Sequence, residues 1–403
     1  MATIQLQEPV YRGNPGPVFF AAGFRPFFLF AAIDAAVMLP LWLVAWVGGL
    51  PLGVSYTAAV WHGHEMVFGF AGAAVGGFLL TAVPNWTNTH HASGRPLMAV
   101  FAAWLAGRVA FSLGGLLPPL VVAAIDLAYL PALALLVAGP LLKAAKARNV
   151  AFLPILGVFW LCDLQIHLGI ALGWGDPMAG VHGGIAVLLV MIAVVGGRII
   201  PSFTQNWLRM QGQAMEVRPI GWIEKWGAVA SVAVAAGLDV VAPTSPAAGA
   251  ALLAAAAIHL VRMGRWHGWR TLANPILWVL HLGYLWLVVG MALLGLSSFS
   301  DALPASAAVH ALTAGCVATM ILGVMSRAAL GHSGRPLLVS PLTVAAYVLL
   351  SAGAALRVVA PLFEDAQVAF THAGGTLWVL AWILFVVVYA PIVLRPRADG
   401  RPG

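Results

Sequence analysis

The sequence predicts an all-α, polytopic membrane protein of about twelve transmembrane helices. Three observations predict it. Hydrophobic residues make up 62% of the 403 positions and charged residues only 8%, whereas soluble domains carry about 25% charge. Apolar runs long enough to cross about 30 Å of hydrocarbon as a helix recur along the chain. The short polar segments between them are basic on one side of the expected membrane and acidic on the other.

Taken in order, the spans fall near 24–49, 58–83, 96–117, 119–142, 150–173, 179–203, 220–239, 246–264, 272–296, 303–328, 338–360 and 367–394. Residues 1–22 read as a polar cytoplasmic arm containing Pro9, Pro15 and Pro17. The arm lacks the charged start, apolar middle and cleavage site of a signal peptide. Residues 23–394 read as a single transmembrane domain and 395–403 as a cytoplasmic tail. Several odd-numbered spans open on an arginine beside or shortly before proline, as in Arg25-Pro26, Arg218-Pro219 and Arg335-Pro336. Proline is tolerated there because the first helical N–H has no partner to lose.

The formal net charge is +7, and its placement matters more than its size. Arg95, Lys143, Lys146, Arg148, Arg209, Arg218, Lys225, Arg262, Arg265, Arg270 and Arg335 fall on one side, with Arg12, Arg395 and Arg397 at the termini. The opposite loops hold Asp176, Asp239, Asp301, Glu364 and Asp365 and neither Lys nor Arg. The pattern expects both termini in the cytoplasm of a bacterial inner membrane. Basic loops facing an anionic leaflet explain the charge without a nucleic-acid partner. Cys162 and Cys316 stand alone in apolar runs and no Cys-x-x-Cys-His occurs. A disulfide framework is therefore excluded, and any haem would be held non-covalently.

The chain also repeats. Ser93-Gly94-Arg95-Pro96-Leu97 recurs as Ser333-Gly334-Arg335-Pro336-Leu337, and Pro154-Ile155-Leu156 as Pro275-Ile276-Leu277. The offsets suggest three four-helix units, roughly 23–145, 146–268 and 269–394, in a pseudo-threefold arrangement. The second helix of each unit carries histidine near its outer end: His62 and His64, then His182, then His310. Such symmetry would bring them to one depth. His167 and His372 also fall toward the outer side, and His281 near mid-membrane.

A histidine at one helix end is ordinarily an interfacial hydrogen-bonding group. Six on one side, three at matching repeat positions, point instead to metal or haem binding. Imidazole suits copper, iron and zinc. Residues i and i+2 of an α-helix lie about 200° apart, so His62 and His64 serve different centres, or one serves a centre and the other a hydrogen bond. Glu65 beside them would hold the second N–H of a ligating histidine, coordinate a metal or relay protons. Its bland reading is an ion pair with an arginine such as Arg357. Arg357 and the deeper Arg108 are candidates for haem propionates. Gly69, Gly72, Gly76 and Gly77 allow close helix packing or the approach of a flat macrocycle.

Several segments then resemble one family in order along the chain. They are Gly23-Phe24-Arg25-Pro26-Phe27-Phe28, Trp61-His62-Gly63-His64-Glu65-Met66 and Leu80-Thr81-Ala82-Val83-Pro84-Asn85-Trp86-Thr87, then Gly196-Gly197-Arg198-Ile199-Ile200-Pro201 and Met325-Ser326-Arg327-Ala328 with Gly331-His332-Ser333-Gly334. The sequence resembles the NnrS family of haem- and copper-containing membrane proteins, in which the residue at Gly63 is usually alanine. The resemblance implies haem b, copper and a role in nitric oxide metabolism or nitrosative-stress defence. Under it, His62, His310 and Arg357 are the expected haem residues. His64, His182, His167 and His372 are the expected metal ligands, interchangeable with the haem set. Glu65 is the expected catalytic proton relay.

The activity this implies is nitric oxide reduction, in which two NO, two electrons and two protons give N2O and water. Nitric oxide partitions into lipid and needs no polar channel. The chain shows no haem-attachment motif and no electron-carrier domain, so quinol is the expected donor. A non-turnover NO-binding or stress-protection protein stays open, as does a transporter of metal or small solutes, since repeated helices suit transporters too.

Overall fold

The computed structural model describes residues 16–48, 56–213, 216–217 and 220–401, apart from the side chain of Lys225. Arg12, Arg218 and most of the expected N-terminal arm lie outside the described residues. Among the described residues every regular element is a helix. The protein is an all-α, multi-pass membrane protein. Ten helices are long and apolar enough to cross a bilayer: α1 (Phe24–Trp46), α2 (Ala58–Thr87), α4 (Pro119–Ala144), α5 (Ala147–Leu172), α6 (Pro177–Met210), α8 (Pro246–Gly264), α9 (Pro275–Ser297), α10 (Ala305–His332), α11 (Pro341–Leu362) and α12 (Glu364–Val393). The two remaining expected spans correspond to α3 (Arg95–Ser112) and to the shorter apolar α7 (Ala228–Val241).

The chain divides into two compact units. The first contains α1 to α5, a segment Arg327–Leu337 at the end of α10, and Phe385–Gly403. Here α2 packs on α1 and α4, while α4 also packs on α3 and α5. Glycines of α2 receive aromatic rings. A Cβ at Gly76 would fall 2.0 Å from the Tyr129 hydroxyl oxygen, and one at Gly77 would fall 2.7 Å from the Phe28 ring. The small-residue face of α2 is thus filled by protein side chains, and helix packing is its explanation.

The second unit runs His182–Ser326 and Leu338–Leu384. Its helices α7, α8, α9, α10 and α11 pack in chain order. Close crossings again use glycine: the Cβ positions of Gly353 and Gly374 each lie 2.7–2.8 Å from the other's carbonyl oxygen.

Buried cations tie the ends of the first unit together. Arg25 in α1 is fully buried, and its Nη1 donates to Val393 O at 2.7 Å and Arg395 O at 2.8 Å. Val393 O lies in the last turn of α12, where no intrahelical donor remains, and Arg395 O just beyond it. In the tail, Arg397 donates to His332 O, and the Ala398 N–H donates to Ser333 O at 2.9 Å. His91, in the segment between α2 and α3, is buried beside these groups. Burial, then the His332 ring and the Arg397 guanidinium, push it down to about 4.

Two outcomes follow. Arg25→Met leaves two buried carbonyls unpaired and costs about 1.5–3 kcal/mol, read as a lower midpoint in denaturant titration of detergent-solubilised protein. His91 is neutral in the fold and takes a proton more readily when unfolded. Its contribution is full above pH 6.5 and is lost as pH falls from 6.5 toward 4. Stability measured across that window should fall, and less steeply in His91→Gln.

Candidate metal centre

The site is built by five helices of the first unit. The Thr57 side chain caps the start of α2 by accepting from the Val60 N–H. The helix is α-helical through His64 and then widens to a π-helix over Glu65–Ala71. Such bulges free carbonyls and re-aim side chains. Two carbonyls of this stretch are taken from neighbouring helices: the Trp104 indole N–H donates to Gly69 O at 3.1 Å and the Tyr129 hydroxyl to Gly72 O at 3.0 Å. His64 and Glu65 are left fully buried.

Around them gather Asp126 from α4, Asp163 and His167 from α5, Arg108 from α3 and Asp34 from α1. All are buried. His64 Nε2 lies 2.8 Å from Asp126 Oδ2 and 3.0 Å from Asp163 Oδ1. His167 Nε2 lies 3.0 Å from Asp126 Oδ2 and 3.8 Å from Asp163 Oδ1. Two nitrogens and two oxygens thus converge, all within 4.8 Å of one another. Tetrahedral ligands at about 2.05 Å from an ion stand about 3.3 Å apart, close to these separations. Asp163 and His167 are four residues apart on one helix, which places them on one face. A Cβ at Gly107 would fall 2.2 Å from Asp126 Oδ1 and 3.2 Å from the Asp126 Cα, so glycine there lets α3 and α4 close on the site.

A second layer orients the first. Glu65 Oε1 accepts from Arg108 Nη1 at 2.8 Å and stands 3.5 Å from His64 Nδ1. Arg108 Nη2 donates to Asp126 Oδ1. The His64 ring stacks on Phe111, with centroids 3.6 Å apart. Glu65 Oε2 and Asp34 Oδ2 have no hydrogen-bond partner, and both lie 3.0–3.1 Å from the Cβ position of Gly69. Four carboxylates therefore face one guanidinium inside an apolar protein. Uncompensated buried charge is very costly. A divalent cation among the four ligand atoms would offset part of that excess.

A profile described as NnrS protein matches residues 18–397. The chain belongs to the NnrS family. No curated protein matches the sequence. The NnrS family is associated with the response to nitric oxide and with metal or haem binding.

This NnrS chain brings together only part of the histidine set read from sequence. His64 and His167 stand in the centre. His62 does not: it is half-buried and stacks on Trp42 at 4.3 Å, as the i, i+2 geometry requires. His182, His310, His372 and Arg357 belong to the second unit. His182 and His372 are half-buried on α6 and α12. His310 Nδ1 bonds Ser306 O at 2.7 Å on its own helix, which leaves the lone pair of the neutral ring on Nε2. Arg357 Nη1 is buried without a hydrogen-bond partner.

Two readings change. The arginine that Glu65 meets is Arg108, not Arg357. Arg108 is committed to carboxylates rather than to a propionate. A Cβ at Gly63 would fall 2.8 Å from Val181 Cγ1. Asp126, Asp163 and Asp34 were missed by the sequence reading. Their signal was the one that singled out Glu65, a lone acid inside an apolar run.

The donor set fits a divalent first-row metal. Imidazole accepts iron, zinc or copper(II), and carboxylate oxygens favour a harder ion than copper(I). It does not fit haem, because both nitrogens of His64 face protein groups, one ring face covers Phe111, and the adjacent cavity is only about 10 Å³. His64→Ala and Asp126→Asn should each lower metal bound to purified protein at least about tenfold, by elemental analysis, while His62→Ala retains it. Equal loss in all three would refute the assignment.

Proposed function

We propose that this protein reduces nitric oxide at the His64–Asp126–Asp163–His167 centre. The observation that carries the reading is a buried, negatively charged ligand group beside a very small cavity. That cavity is lined by His167, Phe111, Tyr56, Gly114, Pro119, Val122 and Ile170. A space of about 10 Å³ suits a neutral diatomic dissolved in lipid better than a hydrated ion or a polar solute.

Two NO, two electrons and two protons give N2O and water. A redox-active ion held by the four ligands would supply an electron-rich binding point for NO. The chain does the rest. Asp126 and Asp163 balance the ion's charge and His167 borders the cavity. Glu65, held through Oε1 by Arg108, would relay protons through Oε2, the oxygen with no hydrogen-bond partner. Tyr56 closes the cavity by donating to Phe111 O. Electrons come from quinol in the inner membrane, with both termini on the cytoplasmic side, as the basic loops favour. A haem b, where the protein carries one, would be held in the second unit by His310 and by Arg357, whose Nη1 has no hydrogen-bond partner. Haem would serve there as an electron store.

The test is NO consumption by purified, metal-loaded protein with a chemical reductant, followed by electrode and by N2O detection. His64→Ala should abolish it. Glu65→Gln should keep the metal and lower kcat about 100-fold or more, the usual contribution of a positioned acid. NO bound but never converted to N2O by the wild type would leave a binding protein and end the reductase reading.

A further inference from the structure

The second unit holds a cleft that the reaction centre does not use. Its volume is about 490 Å³, within the range of small-molecule sites. One wall is the Gly196–Pro201 block of α6, the other the π-helix Ile223–Gly227 with α7, and Arg262 of α8 forms the back. A Cβ at Gly197 would fall 1.8 Å from Arg262 Nη2. Only glycine lets that guanidinium lie across α6.

The back wall is rigid and electrically closed. Arg262 donates through Nε at 2.9 Å and through Nη2 to Glu224 Oε2. Its Nη1 donates to Ala193 O at 2.9 Å and to the Tyr284 hydroxyl at 2.8 Å. Tyr284 in turn donates to His259 Nδ1 at 2.7 Å, and His259 Nε2 donates to Ala228 O at 2.9 Å. Glu224 cancels the charge of Arg262, and all its bonds to Arg262 fall on Oε2. The cleft therefore presents a carboxylate, the polar side chains of Ser202 and Gln205, the cation Arg198 and apolar surfaces such as Val229. Trp226 on that π-helix and Trp222 just before it are 69% and 63% exposed. Exposed tryptophan of this kind sits at the membrane interface.

We propose that this cleft binds the ring of a membrane quinol and is where the electrons for the reaction enter. The proposal rests on the nitric oxide reductase reading for its role, though not for its binding. Because Glu224 and Arg262 cancel each other, the back wall offers a phosphate headgroup no net positive charge, whereas a ring hydroxyl finds an acceptor in the Glu224 carboxylate. Ser202 offers a donor to the ring oxygen once it is a carbonyl. The ring loses two electrons and two protons, breaking two O–H bonds and becoming quinone. These reduce two NO: an N–N bond forms, one N–O bond breaks, and the oxygen leaves as water.

The experiment is equilibrium binding of decylubiquinol to the purified full-length protein, beside NO consumption with the same quinol. Wild type should bind one per chain, saturably. Glu224→Gln should weaken binding at least tenfold. Val229→Phe, which fills the cleft and keeps the ion pair, should do the same and covers the case in which Glu224→Gln fails to fold. His64→Ala should bind quinol as wild type does while losing NO consumption. No saturable binding by wild type, unchanged binding in Val229→Phe, or displacement of the quinol by phosphatidylglycerol as the tighter occupant would each overturn the proposal. Specific binding without NO consumption under any donor would leave the quinol site standing and end the reductase reading instead.

Discussion

The first unit is organised by the cost of burying negative charge. Asp34, Glu65, Asp126 and Asp163 come from four helices and meet a single guanidinium, that of Arg108. In a low-dielectric interior, leaving such a group uncompensated costs several kcal/mol per charge. Arg108 reaches only Glu65 and Asp126 among them by direct ion pair. The rest of the excess falls on the space between Asp126 and Asp163, where two imidazole nitrogens also point. Charge and donor geometry thus ask for the same thing, a cation. The surrounding structure serves that demand: Gly107 lets α4 come close enough for Asp126 to reach His64, the π-turn aims Glu65, and Phe111 fixes the His64 ring by stacking.

How much of this was legible in the sequence depends on the length scale of each signal. Helices were legible because an apolar run of membrane length has few alternatives. Even the two weaker spans, near 96–117 and 220–239, correspond to helices, α3 and α7. The centre was half legible. His64 and Glu65 stand out as ionisable groups in a membrane run, and the i, i+2 spacing puts His62 on another face from His64. Asp163 and His167 carry a local signature, one turn apart on one face. Asp126 has no local signature beyond being a lone acid in an apolar helix. Its role exists only through the approach of α3 and α4, and long-range packing of that kind is not written in any short window.

The outer histidines differ in what their nitrogens face. Matching positions in a repeat suggest a shared depth, but a ligand is defined by what its nitrogen faces. His310 spends Nδ1 on its own helix through Ser306 O, the ordinary fate of a histidine near a helix end. His64 has carboxylates at Nε2 and a carboxylate near Nδ1. Only the second pattern has the form of a ligand with an orienting partner behind it. Counting histidines on one side of the membrane weighed these two alike.

Comparing the buried arginines of the two units separates structural from functional polarity. Arg262 meets one carboxylate, one hydroxyl and one carbonyl, and its chain of bonds ends at a main-chain oxygen through Tyr284 and His259. Charge cancels within that network, so it needs no ion, and a fully satisfied buried network stiffens the wall it forms. Arg108 sits in a network that does not close. Glu65 Oε2 and Asp34 Oδ2 remain without hydrogen-bond partners, and the acids outnumber the cation. An open network in a dry interior persists only if something outside the chain completes it. The Arg108 network thus has the form of a group that could hold a metal ion, and the Arg262 network that of a closed structural wall.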